Sequence, residues 1–260
     1  MLKKFSSWVE RKIISMEILS YDPKSLKDVI DEGKLISEAG FSGAVFLHGS
    51  NLIKLDQRLY HYLKINSKTF ANSVFKDRYL FDKEPFVARE QIEYLQSKQK
   101  DVHLTEFDKG IVLVKDRICG VILEPHLDYH DLTNSKIENP RTILKILRNI
   151  LAAIRELELN EISHLDLAKG EKGKEPTLNI LHKGEDIKLC DLSGKYITYG
   201  DKFNPQAMYQ EYAMVIRILL KKIKDEFPNY LSLVNELGLD SLVNYDQAED
   251  ALDVLDEFTK

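Results

Sequence analysis

Two carboxylates and one amide in the second half of the chain are of the residue types that can bind a magnesium ion. Asp166 stands in His164-Leu165-Asp166-Leu167, Asn179 follows it by 13 positions, and Asp191 begins Asp191-Leu192-Ser193-Gly194. A carboxylate can orient an attacking hydroxyl, while amide and carboxylate oxygens can hold Mg²⁺ on phosphates. Phosphoryl transfer needs residues of these types, namely a carboxylate such as Asp166 as the base and an asparagine and an aspartate such as Asn179 and Asp191 as metal ligands.

A glycine-containing stretch in the first half of the chain precedes a lysine. Gly40 and Gly43 lie in Glu38-Ala39-Gly40-Phe41-Ser42-Gly43-Ala44-Val45, and Lys54 ends the run Asn51-Leu52-Ile53-Lys54. Glycines between two strands let the backbone approach phosphates, and a lysine on a nearby strand can reach the same anion. Taken alone, this pattern also fits an ordinary hairpin with a surface lysine.

The elements that must position these side chains change in character along the chain. Residues 34–55 are predicted to be rich in strands, and a helical stretch follows Pro85. The apolar runs 110–114 and 118–123 have strand length and are separated by a short charged turn, as in a hairpin. The first half is therefore expected to contain a small antiparallel sheet.

The second half has mainly helical periodicity. Apolar residues recur from Ile143 to Leu157, and Pro140 suits the start of this helix. Two strand-like runs, 178–181 and 186–190, follow, and residues 205–222 are predicted to form another helix. A helix-rich region that carries a small hairpin is expected.

The order of these features is that of the protein kinase-like superfamily. The chain resembles this superfamily from about Leu35 to Leu220, and it is similar to the atypical, short bacterial-type serine/threonine kinase-like members. The signatures H-R-D-L…N and D-F-G correspond to the segments that contain Asp166, Asn179 and Asp191.

The resemblance implies which residues bind the phosphates of ATP. It places Gly40, Gly43 and Val45 in the phosphate-binding loop, although Glu38 stands at the position of the first glycine of G-x-G-x-x-G-x-V. Lys54 would bind the α and β phosphates, and ATP with Mg²⁺ would be the cofactor.

The resemblance also implies a glutamate partner for the lysine and a hinge for adenine. Glu90, in the helical stretch after Pro85, is the expected partner of Lys54, and Glu93 is the alternative. The segment with Glu124 and Leu127 resembles the hinge whose backbone binds adenine.

The fold that the resemblance implies is α+β and bilobal, with a small β-rich N-lobe and a helical C-lobe. The expected divisions are an N-terminal helical extension over 1–33, the N-lobe over 34–123, and the hinge with the C-lobe over 124–260. A chain of 260 residues is long enough for two such lobes.

The segment between Asp166 and Asn179 departs from the superfamily by about eight extra residues within 169–176. The H-R-D-x-x-x-x-N form places the asparagine five positions after the aspartate. This glycine- and lysine-rich insertion is expected to be either a solvated loop or a contact for an anionic substrate or a transferred phosphate.

A second departure concerns activation. Leu165 replaces the arginine that pairs with a phosphorylated loop in many relatives, and only residues 195–210 separate Gly194 from Glu211. Glu211 stands where the central helix of the large lobe usually has an aspartate. The chain is therefore expected to be active without phosphorylation of its activation segment.

The leading functional prediction is an ATP- and Mg²⁺-dependent kinase that phosphorylates protein hydroxyls. A small-molecule alcohol is the alternative acceptor, because the segment that docks peptides is short. An inactive pseudokinase that serves as a binding or scaffold module is the alternative of a different class. It is kept open by Leu52, where the superfamily has a small alanine, and by the long gap from Lys54 to Glu90.

Composition narrows the remaining classes. The formal net charge is −5, so no basic excess indicates nucleic-acid binding. Two cysteines are too few for a disulfide framework, and no apolar run has the length of a membrane span. The protein is expected to be cytoplasmic, with no membrane span.

Overall fold

Four α-helices and thirteen strands form the regular structure of the described residues, so the fold is mixed α+β. A computed structural model of the chain describes residues 17–37, 43–56, 59–60, 63–64, 87, 89–99, 101–105, 108–114, 116–126, 128–169, 176–194, 196–230 and 255.

A six-stranded mixed sheet occupies the first half of the chain. Its strands are β1 (Glu17–Tyr21), β2 (Lys34–Ser37), β3 (Ala44–His48), β4 (Asn51–Leu55), β5 (Gly110–Val114) and β6 (Arg117–Leu123). Their order is β1-β5-β6-β4-β3-β2, and β1 runs parallel to β5 while the other neighbours are antiparallel. The predicted hairpin of β5 and β6 is confirmed.

The sheet has an apolar core on each face, because successive side chains of a strand point to opposite faces. Helix α1 (Pro23–Glu32) contributes Leu26 and Val29 to one core, together with Ile53 and Leu55 of β4. Helix α2 (Arg89–Lys98) contributes Ile92 to the other core, which contains the residues Ile111, Leu113, Ile118 and Val121.

The strand β1 corrects the prediction of a helical extension over 1–33. Residues 17–21 pair with β5 over five positions, and among the described residues 17–33 only those of α1 are helical. Residues 1–16 of the predicted extension lie outside the described residues. Ile18 packs in one core while Leu19 and Tyr21 pack in the other, which is the alternation of a strand. The expected boundary at residue 33 therefore falls inside one structural unit.

The chain divides into two compact units. The first comprises Met1–Gln96 and Phe107–His126, and the second comprises Ser97–Glu106 and Leu127–Lys260. The hinge segment predicted from residue 124 contains the change from the first unit to the second, after His126. The residues 97–106, expected in the N-lobe, are grouped with the second unit.

Two long helices form the centre of the second unit. Helix α3 (Pro140–Leu159) begins at Asn139, whose side chain accepts a hydrogen bond from the Arg141 N–H. Helix α4 (Pro205–Glu226) begins at Asn204 in the same way. In both helices a proline follows the capping asparagine, where its missing N–H costs no hydrogen bond. The two helices predicted from Pro140 and over residues 205–222 are confirmed.

Short strands complete the second unit. They are β7 (His130–Asp131), β8 (Ile162–His164), β9 (Ala168–Lys169), β10 (Thr177–Leu178), β11 (Ile180–Lys183), β12 (Asp186–Leu189) and β13 (Ile197–Tyr199). β11 pairs with β12 and β7, β9 with β10, and β8 with β13, in each case antiparallel. These strands place the polar residues singled out in the sequence.

No helix within the described ranges has both the length and the apolar character needed to cross a bilayer. Neither cysteine forms a disulfide. Burial raises the pKa of the Cys119 thiol to about 12, so this side chain is an inert part of the core around β6.

Candidate active site

His164 joins two of the polar segments of the second unit. Its ring is completely buried at the end of β8, with Nε2 lying 2.8 Å from the carbonyl oxygen of Cys190. The backbone N–H of Asp166 donates to Nδ1 over 3.3 Å. Because a carbonyl can only accept and an N–H can only donate, the ring is neutral with its proton on Nε2. The imidazole thus ties the backbone at Asp166 to the residue that precedes Asp191.

Asp166 and Asn179 form a directly bonded pair. The Asn179 Nδ2 donates to the Asp166 carbonyl oxygen over 2.5 Å and to the carboxylate oxygen Oδ2 over 3.2 Å. Asp166 is only 8% exposed. These bonds use the amide nitrogen and leave the amide oxygen, which is the atom that a hard cation binds, outside the pair.

The hairpin of β9 and β10 explains how Asn179 reaches Asp166 across the extra residues. Ala168 pairs with Leu178, and the Asn179 N–H donates to the Leu167 carbonyl oxygen over 2.9 Å. The chain therefore leaves the site after Lys169 and returns before Asn179. The predicted insertion has its ends fixed in this hairpin, and residues 170–175 lie outside the described residues.

Asp191 has an unusual backbone conformation. Its φ is 68°, in the left-handed region that non-glycine residues seldom adopt. The residue before it, Cys190, donates its N–H to the Asn179 carbonyl oxygen over 3.1 Å. Such strain costs about 1–3 kcal/mol and is found where the surrounding structure requires it, often at functional sites. Hydrogen bonds thus link Asp166 to Asn179, and Asn179 to Cys190, the residue before Asp191.

Glu211 of helix α4 bonds to the chain close to Asp166. Its Oε2 accepts a hydrogen bond from the Ala168 N–H over 3.1 Å. Burial raises the pKa of the Glu211 carboxyl, as does the charge of Asp166, while the hydrogen bonds from the Ala168 and Leu167 N–H groups lower it. The carboxylate fixes the chain just after Asp166.

The segment between Asp191 and helix α4 is anchored by backbone hydrogen bonds. β13 pairs with β8 over three positions, and the Leu165 N–H donates to the Tyr196 carbonyl oxygen over 2.9 Å. The Asn204 N–H donates to Ser163 Oγ over 2.8 Å. The segment is therefore ordered against β8 by the ordinary peptide groups of the chain.

Lys54 and the described part of the glycine stretch lie on neighbouring strands of the first unit. Lys54 is 4% exposed and pairs directly with Val45 across β3 and β4. A Cβ added at Gly43 would lie 2.4 Å from the Leu55 carbonyl oxygen, so only glycine allows this approach. Gly40 lies outside the described residues.

Burial differs among the residues of helix α2 that could reach Lys54. Glu90 is exposed and Glu93 is half-buried, whereas Gln91 of the same helix is 3% exposed. Gln91 is not among the residues predicted from the sequence, because that prediction rests on an acidic residue type. The apolar positions Ile92 and Leu95 are the signal that could have located the inner face of α2.

Of the predicted hinge residues, Glu124 is exposed, and its Oε2 lies 3.5 Å from the Lys109 Nζ. Leu127 lies outside the described residues. In the preceding strand, β6 ends at Leu123, which pairs with Leu52 of β4.

The second unit contains carboxylate and amide oxygens of the kind that bind a hard cation. Within the described ranges no three histidine, cysteine or acidic side chains cluster as a metal site. Asp191 and Asn179 could supply two oxygen ligands, and Mg²⁺ typically takes its remaining ligands from phosphates and water. No family model and no curated protein matches the chain.

Proposed function

We propose that the protein is an ATP- and Mg²⁺-dependent phosphotransferase with a bilobal, protein kinase-like fold. The observation that carries this proposal is the bonded pair of Asp166 and Asn179, connected through Cys190 to the strained Asp191. A buried carboxylate beside an amide and a second carboxylate is the set that phosphoryl transfer uses.

Each of these side chains has a defined role in the proposal. Asp166 accepts the proton of the attacking hydroxyl, and its bond to Asn179 fixes the orientation of the carboxylate. Asp191 and the amide oxygen of Asn179 hold Mg²⁺ on the phosphates. Lys54 binds the phosphates, Gly40, Gly43 and Val45 belong to the phosphate-binding loop, and Glu124 and Leu127 belong to the adenine-binding hinge.

The proposed acceptor is a protein hydroxyl, and transfer needs no phosphate on the activation segment. The backbone bonds of β13 support this second point, since they order the segment without an added charge. A small-molecule alcohol is the alternative acceptor, favoured by the short stretch between Asp191 and helix α4. Incubation with labelled ATP and either a cell lysate or a panel of small alcohols separates the two.

A binding module that holds nucleotide without transferring phosphate is the second candidate function. It is favoured by the burial of the neutral Gln91, and not of a glutamate, on the inner side of α2. Nucleotide binding without any phosphorylated product would support this candidate.

Two substitutions test the proposed roles. Asp191→Asn is expected to weaken Mg-ATP binding at least about tenfold, because a neutral amide cannot offset the cation, and to abolish transfer. Asp166→Asn is expected to preserve Mg-ATP binding and to lower turnover by about 100-fold or more, as loss of a general base does.

Calorimetry and product formation measure both effects, and the exposed Asp201→Asn serves as the control. Loss of nucleotide binding in Asp166→Asn but not in Asp191→Asn would reverse the assignment of roles. The absence of nucleotide binding by the parent protein would refute the proposed function.

A further inference from the structure

Two polar side chains of the first unit are almost completely buried. They are Lys54, which is 4% exposed, and Gln91, which is 3% exposed. Apart from tyrosine and cysteine, no other polar side chain among the described residues of this unit is buried. A buried ammonium group is costly unless a hydrogen-bond acceptor meets it, and a buried amide likewise needs partners. The two groups have complementary chemistry, because the lysine only donates and the amide oxygen accepts.

The sheet places Lys54 on the side that helix α2 covers. Directly paired residues of neighbouring strands point to the same face, and Lys54 pairs with Val121, which in turn pairs with Ile111. Val121 and Ile111 belong to the core that includes Ile92 of α2. The lysine side chain therefore leaves the sheet toward the layer that contains Ile92.

Gln91 is on the inner side of the helix, and the two glutamates are not. Gln91, Ile92 and Leu95 are buried, whereas Glu90 is exposed and Glu93 is half-buried. With about 100° of rotation per residue, both glutamates fall on the side of the helix opposite these three positions.

We propose that Gln91 is the side chain that holds Lys54, acting as a positioning residue through its amide oxygen. A neutral acceptor satisfies one N–H of the ammonium group and leaves its full positive charge for an anion. In the proposed kinase, on which this role rests, the lysine held by this amide meets the nucleotide phosphates.

A pair of stability measurements tests the contact without any need for activity. Beside Lys54, the acid in Gln91→Glu gains an ion-pair partner, so this variant is expected to unfold in urea at a concentration close to that of the parent. In the Lys54→Met background the same acid is buried without the ammonium group. There, Gln91→Glu is expected to lower the folding equilibrium constant by a factor at least about 30 times larger than it does beside Lys54.

The control substitutions are Glu90→Gln and Glu93→Gln, each made with and without Lys54→Met. Their effects are expected to add to that of Lys54→Met within about twofold. The proposal would be overturned if Gln91→Glu destabilised the protein equally with Lys54 and with Lys54→Met. Coupling between Lys54 and Glu93 would also overturn it, because it would identify Glu93 as the partner.

Kinetics test the positioning role. Gln91→Glu is expected to raise the KM for ATP about tenfold and to leave kcat within about threefold, because the carboxylate competes with the phosphates for Lys54. An unchanged KM would refute the role. If the parent protein shows no turnover but the coupling in unfolding is present, the proposed function fails while the contact between Gln91 and Lys54 stands.

Discussion

At the scale of single residues, three side chains bond to main-chain atoms at or close to Asp166. His164 accepts the N–H of Asp166, Asn179 donates to the Asp166 carbonyl oxygen, and Glu211 accepts the N–H of Ala168. These bonds hold the backbone that carries the Asp166 side chain. In the proposed phosphotransferase, they fix the position of the base.

Glu211 gives this arrangement a dependence on pH. Because burial raises its pKa in the folded state, the folded protein holds the proton more tightly than the unfolded chain does. This contribution to stability is complete below the unfolded-state pKa and is lost as the pH rises through the folded-state pKa.

The prediction is that the stability of the parent, relative to Glu211→Gln, falls as the pH rises through this window and is constant above it. Urea unfolding of both proteins between about pH 4 and pH 8 measures the difference. The exposed Glu138→Gln is the matched control for replacing a carboxyl group by an amide. A parent that gains stability relative to Glu211→Gln over this range would contradict the prediction.

Residue types in the sequence singled out Asp166, Asn179 and Asp191; hydrogen bonds join Asn179 to Asp166 and to Cys190, the residue before Asp191. The burial of Gln91 was not predictable from residue type, because helical phase decides which side chain of α2 is buried. The left-handed backbone conformation of Asp191 could not be predicted from the sequence either, since a residue's φ depends on the pairing of its neighbours.

At the scale of elements, the strands with local partners were predictable and β1 was not. The hairpin of β5 and β6 joins strands separated by two residues, so the pattern and the turn lie together in the sequence. β1 pairs with β5, which lies about 90 residues later, and no local pattern records such a pairing. Its short run Glu17–Tyr21 was therefore assigned to a helical extension.

The β13 segment leads to a prediction about regulation. Its backbone bonds to β8 order the chain without a phosphate, so a variant with Ser193→Ala, Tyr196→Phe, Thr198→Ala and Tyr199→Phe should keep its ATP turnover within a few-fold of the parent. Phosphatase-treated parent protein should behave likewise. A loss of about 100-fold, roughly 2.7 kcal/mol of barrier, would show that a phosphate switch exists.

At the scale of the whole molecule, the N-terminal residues that were expected to form a separate extension belong to the first unit. Leu26 of helix α1 is completely buried in the core beneath the sheet, together with Ile53 and Leu55 of the strand that carries Lys54. Residues that precede the glycine stretch thus pack against the strand that carries Lys54.

We therefore expect Leu26→Ala to destabilise the protein by about 2–5 kcal/mol, the usual cost of such a cavity. Leu35→Ala is the matched control, since Leu35 is 40% exposed and its loss should cost less than about 1 kcal/mol. Thermal or urea unfolding measures both. Equal and small effects would show that α1 contributes little to the stability of the first unit.

The short hairpin of β9 and β10 has a consequence for how this chain could diversify. Because its strands pair immediately after Leu167 and immediately before Asn179, the chain can change in length between them without moving either end. Doubling the length of such a loop costs only about 0.6 kcal/mol. Evolution or an engineer could thus insert new recognition sequences between Lys169 and Thr177 and leave the positions of Leu167 and Asn179 unchanged.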